Sequence, residues 1–145
     1  MSTYAQVADV VARAGARKVD ASTRPSTGDV QSWLDEGEAL LNGALQSAGL
    51  PAPYTDPDAV LRLRAWLCEY GLGMLERSQA LGRGDAPASD LVTKFYGRLD
   101  DITANPGRYG AMLGAGAPPA NTSRLRASNL DGAIAPEFRR GKVWY

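Results

Sequence analysis

The sequence predicts an all-α protein, a small helical bundle of about four helices in residues 1–104 followed by an extended C-terminal arm in residues 105–145. Three observations support this prediction. Apolar residues recur at three- and four-residue spacings in four successive segments, which is the period of an amphipathic helix. Residues that start and stop helices separate those segments. No segment alternates apolar and polar residues for long enough to predict a strand.

The composition suits one domain with its own core and narrows the classes of function. A chain of 145 residues with 44% hydrophobic side chains can bury a core of ordinary size. Sixteen basic and sixteen acidic residues leave no net charge that would draw the protein to nucleic acid or a membrane. We expect no membrane span, since no apolar run is long enough, and no signal peptide is visible, which fits a protein made in the cytosol.

The first predicted helix covers residues 3–16, and a polar loop broken by Pro25 follows it. Its apolar residues share one helical face: Tyr4, Val7, Val10, Val11 and Ala14.

The second predicted helix has the clearest boundaries. Ser26 with Asp29 three residues later is an N-cap signature, and Gly49 followed by Pro51 indicates the end. Its apolar stripe consists of Val30, Trp33, Leu34, Gly37, Leu41, Ala44, Leu45 and Ala48.

The third predicted helix opens with Asp56 as N-cap and Pro57 at the first helical position. Because it is apolar on most sides, we expect it to be buried on most sides. Gly71 and Gly73 would let another helix approach closely, either within the fold or across a subunit boundary. The apolar residues are Val60, Leu63, Leu67, Tyr70 and Met74 on one face, with Leu61, Trp66, Leu72 and Leu75 beside it.

The fourth predicted helix runs over residues 88–104 and ends at Asn105, Pro106 and Gly107. The Arg-Gly-Asp triplet at residues 83–85, just before it, is interpreted as a surface turn and not as an integrin motif. The helix carries an apolar stripe of Leu91, Phe95, Leu99 and Ile102, with Val92 and Tyr96 next to it.

The C-terminal arm differs in charge from the body. Residues 1–104 hold ten basic and fourteen acidic side chains, a balance of −4, whereas residues 105–145 hold six and two, a balance of +4. Arginine and large aromatic residues are enriched where protein–protein binding energy concentrates. We therefore predict a partner-binding site in the last eight residues, formed by Phe138, Arg139, Arg140, Lys142, Val143, Trp144 and Tyr145.

The residue types of catalysis are scarce. The chain has no histidine, which removes the commonest general base and metal ligand, so we predict neither an enzyme nor a bound metal or cofactor. Cys68, the single cysteine, is predicted to be an inert buried thiol. The acidic residues on helix polar faces are predicted to be solvated surface; these are Asp35, Glu36, Glu38, Asp100 and Asp101.

Residues 3–104 resemble the head–tail connector proteins, also called adaptor or head-completion proteins, of tailed bacteriophages and related gene-transfer particles. In that family an Arg-Pro-Ser/Thr start and a Trp-Ile/Leu-Asp-Glu-Ala-Glu run open the long helix. This sequence has Gly37 where alanine is usual. The matching residues are Arg24, Pro25, Ser26, Val30, Trp33, Leu34, Asp35, Glu36 and Glu38.

The resemblance implies a structural protein of the virion neck, made in the host cytoplasm. Family members form a homo-oligomeric ring, typically dodecameric, between the portal protein and the stopper or tail-terminator protein. Genomic DNA passes through the ring without sequence-specific binding, and C-terminal arms often reach the portal or a neighbouring subunit. No catalysis and no cofactor are implied.

Two other interpretations remain open at this point. The chain could be another neck protein, a stopper or a tail terminator, although these usually contain more β-structure. It could also be a cellular helical adaptor whose basic tail binds nucleic acid, with Trp144 and Tyr145 stacking on bases.

Overall fold

The computed structural model describes residues 2–15, 17, 19–83 and 90–115, and within these ranges all regular secondary structure is helical. The predicted all-α class is therefore confirmed. No helix in the described ranges is both long and apolar enough to cross a membrane. The helices are α1 (Val7–Arg13), α2 (Thr27–Ser47), α3 (Pro57–Arg83), α4 (Asp90–Ala104) and α5 (Pro106–Met112).

Helices α2 and α3 form an antiparallel pair at the centre of the fold. Gly37 of α2 lies against Tyr70 and Leu67, while Leu34, one turn earlier, lies against Gly71. A Cβ atom on Gly37 would stand 2.7 Å from Cδ1 of Tyr70, so only glycine admits the aromatic ring at this distance. The glycine at this position thus sets the packing distance between the two longest helices.

The predicted caps of both long helices are present. The Ser26 hydroxyl accepts a hydrogen bond from the Asp29 amide at 3.3 Å, and the Asp29 carboxylate accepts one from the Ser26 amide at 2.7 Å. Gly49 follows the end of α2 with φ of 75°, the left-handed conformation that favours glycine at this position. The Asp56 carboxylate accepts hydrogen bonds from the first-turn amides of α3, those of Asp58 and Ala59.

Helix α3 is apolar on most sides because three helices, α1, α2 and α4, pack around it. Leu75 is fully buried, and Trp66 and Leu72 are half-buried against the core. Leu61 and Leu81, near the two ends of the helix, are exceptions at 63% and 68% exposure. The largest fully buried side chains are Tyr4, Tyr70, Phe95, Leu34, Leu41, Leu45, Leu63, Leu67, Leu75, Ile102, Val10 and Val30.

Gly71 serves a contact within the chain. A Cβ atom there would lie 3.0 Å from Cγ2 of Val10 on α1 and 3.2 Å from Cδ2 of Leu34 on α2. Of the two alternatives that the sequence left open, close approach inside the fold is the one observed at Gly71.

The first helix is shorter than predicted. Residues 2–6 are not helical, and α1 begins only at Val7. Gln6 and Asp9 form a capping box, in which the Gln6 amide donates to the Asp9 carboxylate at 2.9 Å. Tyr4, predicted on the helix face, instead belongs to the non-helical segment that precedes it.

The predicted start of the arm at residue 105 is also wrong. Helix α4 ends at Ala104 as expected, but Pro106 begins the short helix α5. Tyr109 and Leu113 are 5% and 2% exposed, so this segment packs onto the bundle. Gly110 is also buried within α5.

Candidate docking surface around the N-terminal segment

The seven predicted partner-binding residues, Phe138, Arg139, Arg140, Lys142, Val143, Trp144 and Tyr145, lie outside the described residues. Gly84 and Asp85 of the Arg-Gly-Asp triplet lie outside them as well. The described residues form the body of the protein.

The N-terminal strap, residues 2–6, is fastened to α2 by one carboxylate. Oε2 of Glu38 accepts hydrogen bonds from the amides of Thr3 at 2.6 Å and Tyr4 at 3.2 Å, and from the Ser2 hydroxyl. Bonds to an ionised acceptor are about twice as strong as those between neutral groups. Glu38 thus orders a stretch of chain that has no secondary structure of its own.

Tyr4 completes this attachment by joining three parts of the fold. Its hydroxyl donates to Oδ1 of Asn42 at 2.9 Å and accepts from the amide of Tyr54 at 2.7 Å. Its carbonyl accepts a 3.0 Å bond from Nε of Arg64 on α3. The ring is fully buried, and burial raises the pKa of the Tyr4 hydroxyl above its ordinary value. The residue is therefore a neutral phenol that links the strap, α2 and the loop between α2 and α3.

Two adjoining hollows open on either side of Ser2. One, of about 300 Å³, is lined by residues of the strap, α1 and α2: Ser2, Gln6, Val7, Ala8 and Gln31. The other, of about 250 Å³, is lined by Ser2 and one face of α2: Asp35, Glu38, Ala39 and Asn42. The first hollow is walled partly by aliphatic side chains, whereas the second carries two carboxyl groups.

The local charge around the hollows is acidic. A hydrogen bond from Gln31 is the largest of the effects that hold the pKa of Asp35 below its ordinary value, so Asp35 is ionised at neutral pH. Asp9 adds a third carboxylate beside the strap, and Arg64, 4.0 Å from it, is the basic group paired with it. The positive charge of the chain's amino terminus also lowers the pKa of Asp35, so the three carboxylates leave a small excess of negative charge, which favours a cationic partner group.

A second cluster holds α5 to the opposite flank of the bundle. Arg98 lies over the ring of Trp66, with its Cζ 4.9 Å from the ring centroid, and pairs with Glu69 at 3.2 Å. The Tyr109 ring meets Trp66 edge to face at 5.9 Å, and its hydroxyl donates to Asp101 at 2.7 Å. These polar groups are bonded to one another, and the cluster is best explained as an attachment for α5.

The remaining sequence predictions about chemistry have mixed outcomes. Cys68 is buried as predicted, and burial raises the pKa of its thiol. Glu36 and Asp100 are exposed as predicted, but Asp35, Glu38 and Asp101 are half-buried and hydrogen-bonded, so solvated surface was the wrong interpretation of these three. Within the described ranges, no group of three histidine, cysteine or acidic residues could hold a metal ion.

The residues that sequence reasoning missed are Glu38 and Tyr4 as an interacting pair. They lie 34 positions apart, and no local pattern connects an acidic residue of one helix to a non-helical segment before another. The one local signal was Gln6 followed by Asp9, a capping box that places the strap outside α1.

In comparisons with known proteins, no family model, no curated protein and no solved structure matches this chain.

Proposed function

We propose that this protein is a head–tail adaptor, a structural protein that forms a ring between the portal and the tail of a virus-like particle. In this role it extends the DNA channel, and its C-terminal arm docks on the portal or on a neighbouring subunit. The observation that carries the proposal is the pattern of residues 24–38, which resembles the start of the long helix in the connector family and lies at the start of α2.

Several residues of this pattern cap α2 or pack against the core. Ser26 caps α2, Leu34 is fully buried, and Trp33 is half-buried against the core. The acidic residue Glu36 faces solvent on the same helix. On the outer side of α2, Glu38 binds the strap, whereas Glu36 is exposed to other molecules.

Exposed apolar side chains at the two ends of α3 favour assembly. Leu61 is 63% exposed and Leu81 is 68% exposed. Twenty residues of helix place them about 30 Å apart along the axis. A ring requires each subunit to use two different surfaces in a head-to-tail contact, and two separate apolar points suit that requirement.

The charge distribution is consistent with a DNA conduit. The body, residues 1–104, has a balance of −4, and like charge would keep the phosphate backbone of translocating DNA from adhering. The basic arm then serves protein contacts.

Negative-stain microscopy of the purified protein, alone and mixed with the portal protein of the same particle, tests the proposal. We expect a ring coaxial with the portal. A protein that stays monomeric and leaves the portal unchanged would contradict it.

A DNA-binding adaptor would give a different result. Its affinity for duplex DNA would fall steeply with salt concentration and would disappear with the arm. For the proposed neck protein we expect the weak affinity of an overall neutral chain, with little change on removing residues 138–145.

A further inference from the structure

We propose that the two hollows beside Ser2 form the receptor for residues 138–145 of a neighbouring copy of this chain. This inference rests on the proposed function and names the surface that would receive the arm.

The acidic hollow fits the arginines of the arm. Asp35 and Glu38 both line it. The three hydrogen bonds from the strap to Glu38 all go to Oε2, and none of these three uses Oε1. A guanidinium group presents a planar fork of donors that matches a carboxylate. Arg139 or Arg140 can therefore add a bond at this surface without displacing the strap.

The aliphatic hollow fits an aromatic side chain. Val7 and Ala8 form part of its wall, and Gln6 and Gln31 supply polar groups at its edge. Tryptophan and tyrosine prefer such sites, with an apolar body and one polar atom near water. In an extended chain Arg140 and Trp144 are about 13 Å apart, enough to occupy two adjoining hollows at once.

The arm is long enough to reach a neighbouring copy. The described chain ends at Ala115, just after α5, which packs on α4, whereas the strap is bound to α2. The 22 residues of 116–137 can span up to about 75 Å when extended. One arm and one receptor on different parts of each subunit make a head-to-tail contact, which closes into a ring when the rotation allows.

Photo-crosslinking in the full-length chain tests the inference. Benzoylphenylalanine replaces Ala39, an exposed residue lining the acidic hollow, and a matched variant carries it at Thr93, exposed on α4. Light and ¹⁵N-labelled copies are mixed under the conditions of ring assembly, irradiated and digested. We expect position 39 to capture residues 138–145, with mixed-isotope products that identify a second copy.

A charge variant gives the second measurement. Replacing Arg139 and Arg140 by glutamine should lower the cross-linked yield from position 39 at least about tenfold, because each charge-assisted bond contributes about 1.5–3 kcal/mol. The same variant should leave the circular dichroism spectrum unchanged.

Three results would overturn the inference: no capture of residues 138–145 at position 39, equal capture at position 93, or products that join only positions within one copy. The outcome is separable from that of the proposed function. A ring on the portal without cross-links at position 39 would reject the receptor alone, whereas cross-links between copies without portal binding would reject the adaptor role alone.

Discussion

The two seven-residue helices of this fold are held to the bundle by different means. Helix α1 depends on the strap before it, where Glu38 and the buried Tyr4 supply the polar bonds. Helix α5 depends on a partly exposed aromatic and ionic cluster around Tyr109 and Asp101. A helix this short is unstable alone in water. Each of the two helices is therefore stable only through its neighbours, and the buried attachment should be the stronger.

The largest effect is expected from Tyr4→Ala. The ring is fully buried and its hydroxyl joins Asn42 to the Tyr54 amide, so truncation leaves a cavity and unpaired polar groups. We expect a loss of about 3–5 kcal/mol in the free energy of unfolding, measured by urea denaturation. Tyr4→Phe, which removes only the hydroxyl, should lose about 1–3 kcal/mol. Equal losses in the two variants would mean that ring packing contributes nothing.

Gly37→Ala perturbs the α2–α3 pair on which both short helices depend. The added Cβ would meet the ring of Tyr70, which is fully buried with its centroid 4.6 Å from that of the Phe95 ring, so the ring cannot move away freely. We expect a loss of about 1–3 kcal/mol, with faster amide hydrogen exchange in α1 and α5 alike.

Gly43→Ala on the same helix is the matched control. Nothing lies within 4 Å of a Cβ atom at that position, so the substitution should stabilise the protein by up to about 1 kcal/mol through helix propensity. If both alanine variants stabilise the protein, the proposed packing of α2 on α3 is wrong.

Tyr109→Phe tests the weaker attachment. It removes the 2.7 Å bond to Asp101 and keeps the edge-to-face contact with Trp66. We expect a loss of about 1 kcal/mol, with increased hydrogen exchange confined to α5. Protection factors in α1 should not change, and a parallel change there would contradict the independence of the two attachments.

The smallest effect is a pH dependence at Asp101. The Tyr109 hydroxyl, and then Asn105, lower the pKa of Asp101 below its ordinary value of 3.8. Because the folded-state pKa is the lower one, this stabilisation is present above the unfolded-state pKa and is lost as the pH falls through the folded-state pKa. The difference in Tm between the native protein and Asp101→Asn should therefore shrink on acidification below about pH 4. A Tm difference that stays constant through this pH range would show that ionised Asp101 adds nothing to the stability of the fold.

The sequence was sufficient where the signals are local. The ends of α2 could be predicted from Ser26, Asp29 and Gly49, because caps act within a few residues. The apolar spacing of Leu34, Leu41 and their neighbours follows from helix geometry. The sequence did not predict the contacts that hold α1 and α5 to the bundle. Glu38 and Tyr4 meet only because α2 folds back beside the strap, a contact that no spacing rule contains.

Helix α5 was missed for a different reason. Asn105, Pro106 and Gly107 form a strong stop signal for α4, but proline is also well suited to the first turn of a new helix. The spacing of Tyr109, Met112 and Leu113 would have predicted that second helix. The stop signal for α4 is therefore not the end of the folded body.

The central claim is that the folded body positions an arm whose last eight residues attach it to other molecules. Co-sedimentation of the full chain and of the chain ending at Glu137 with portal-bearing heads tests this most directly, with circular dichroism as the check on folding. We predict that both chains are equally helical and that only the full chain sediments with the heads. Equal sedimentation of the shortened chain would contradict the claim.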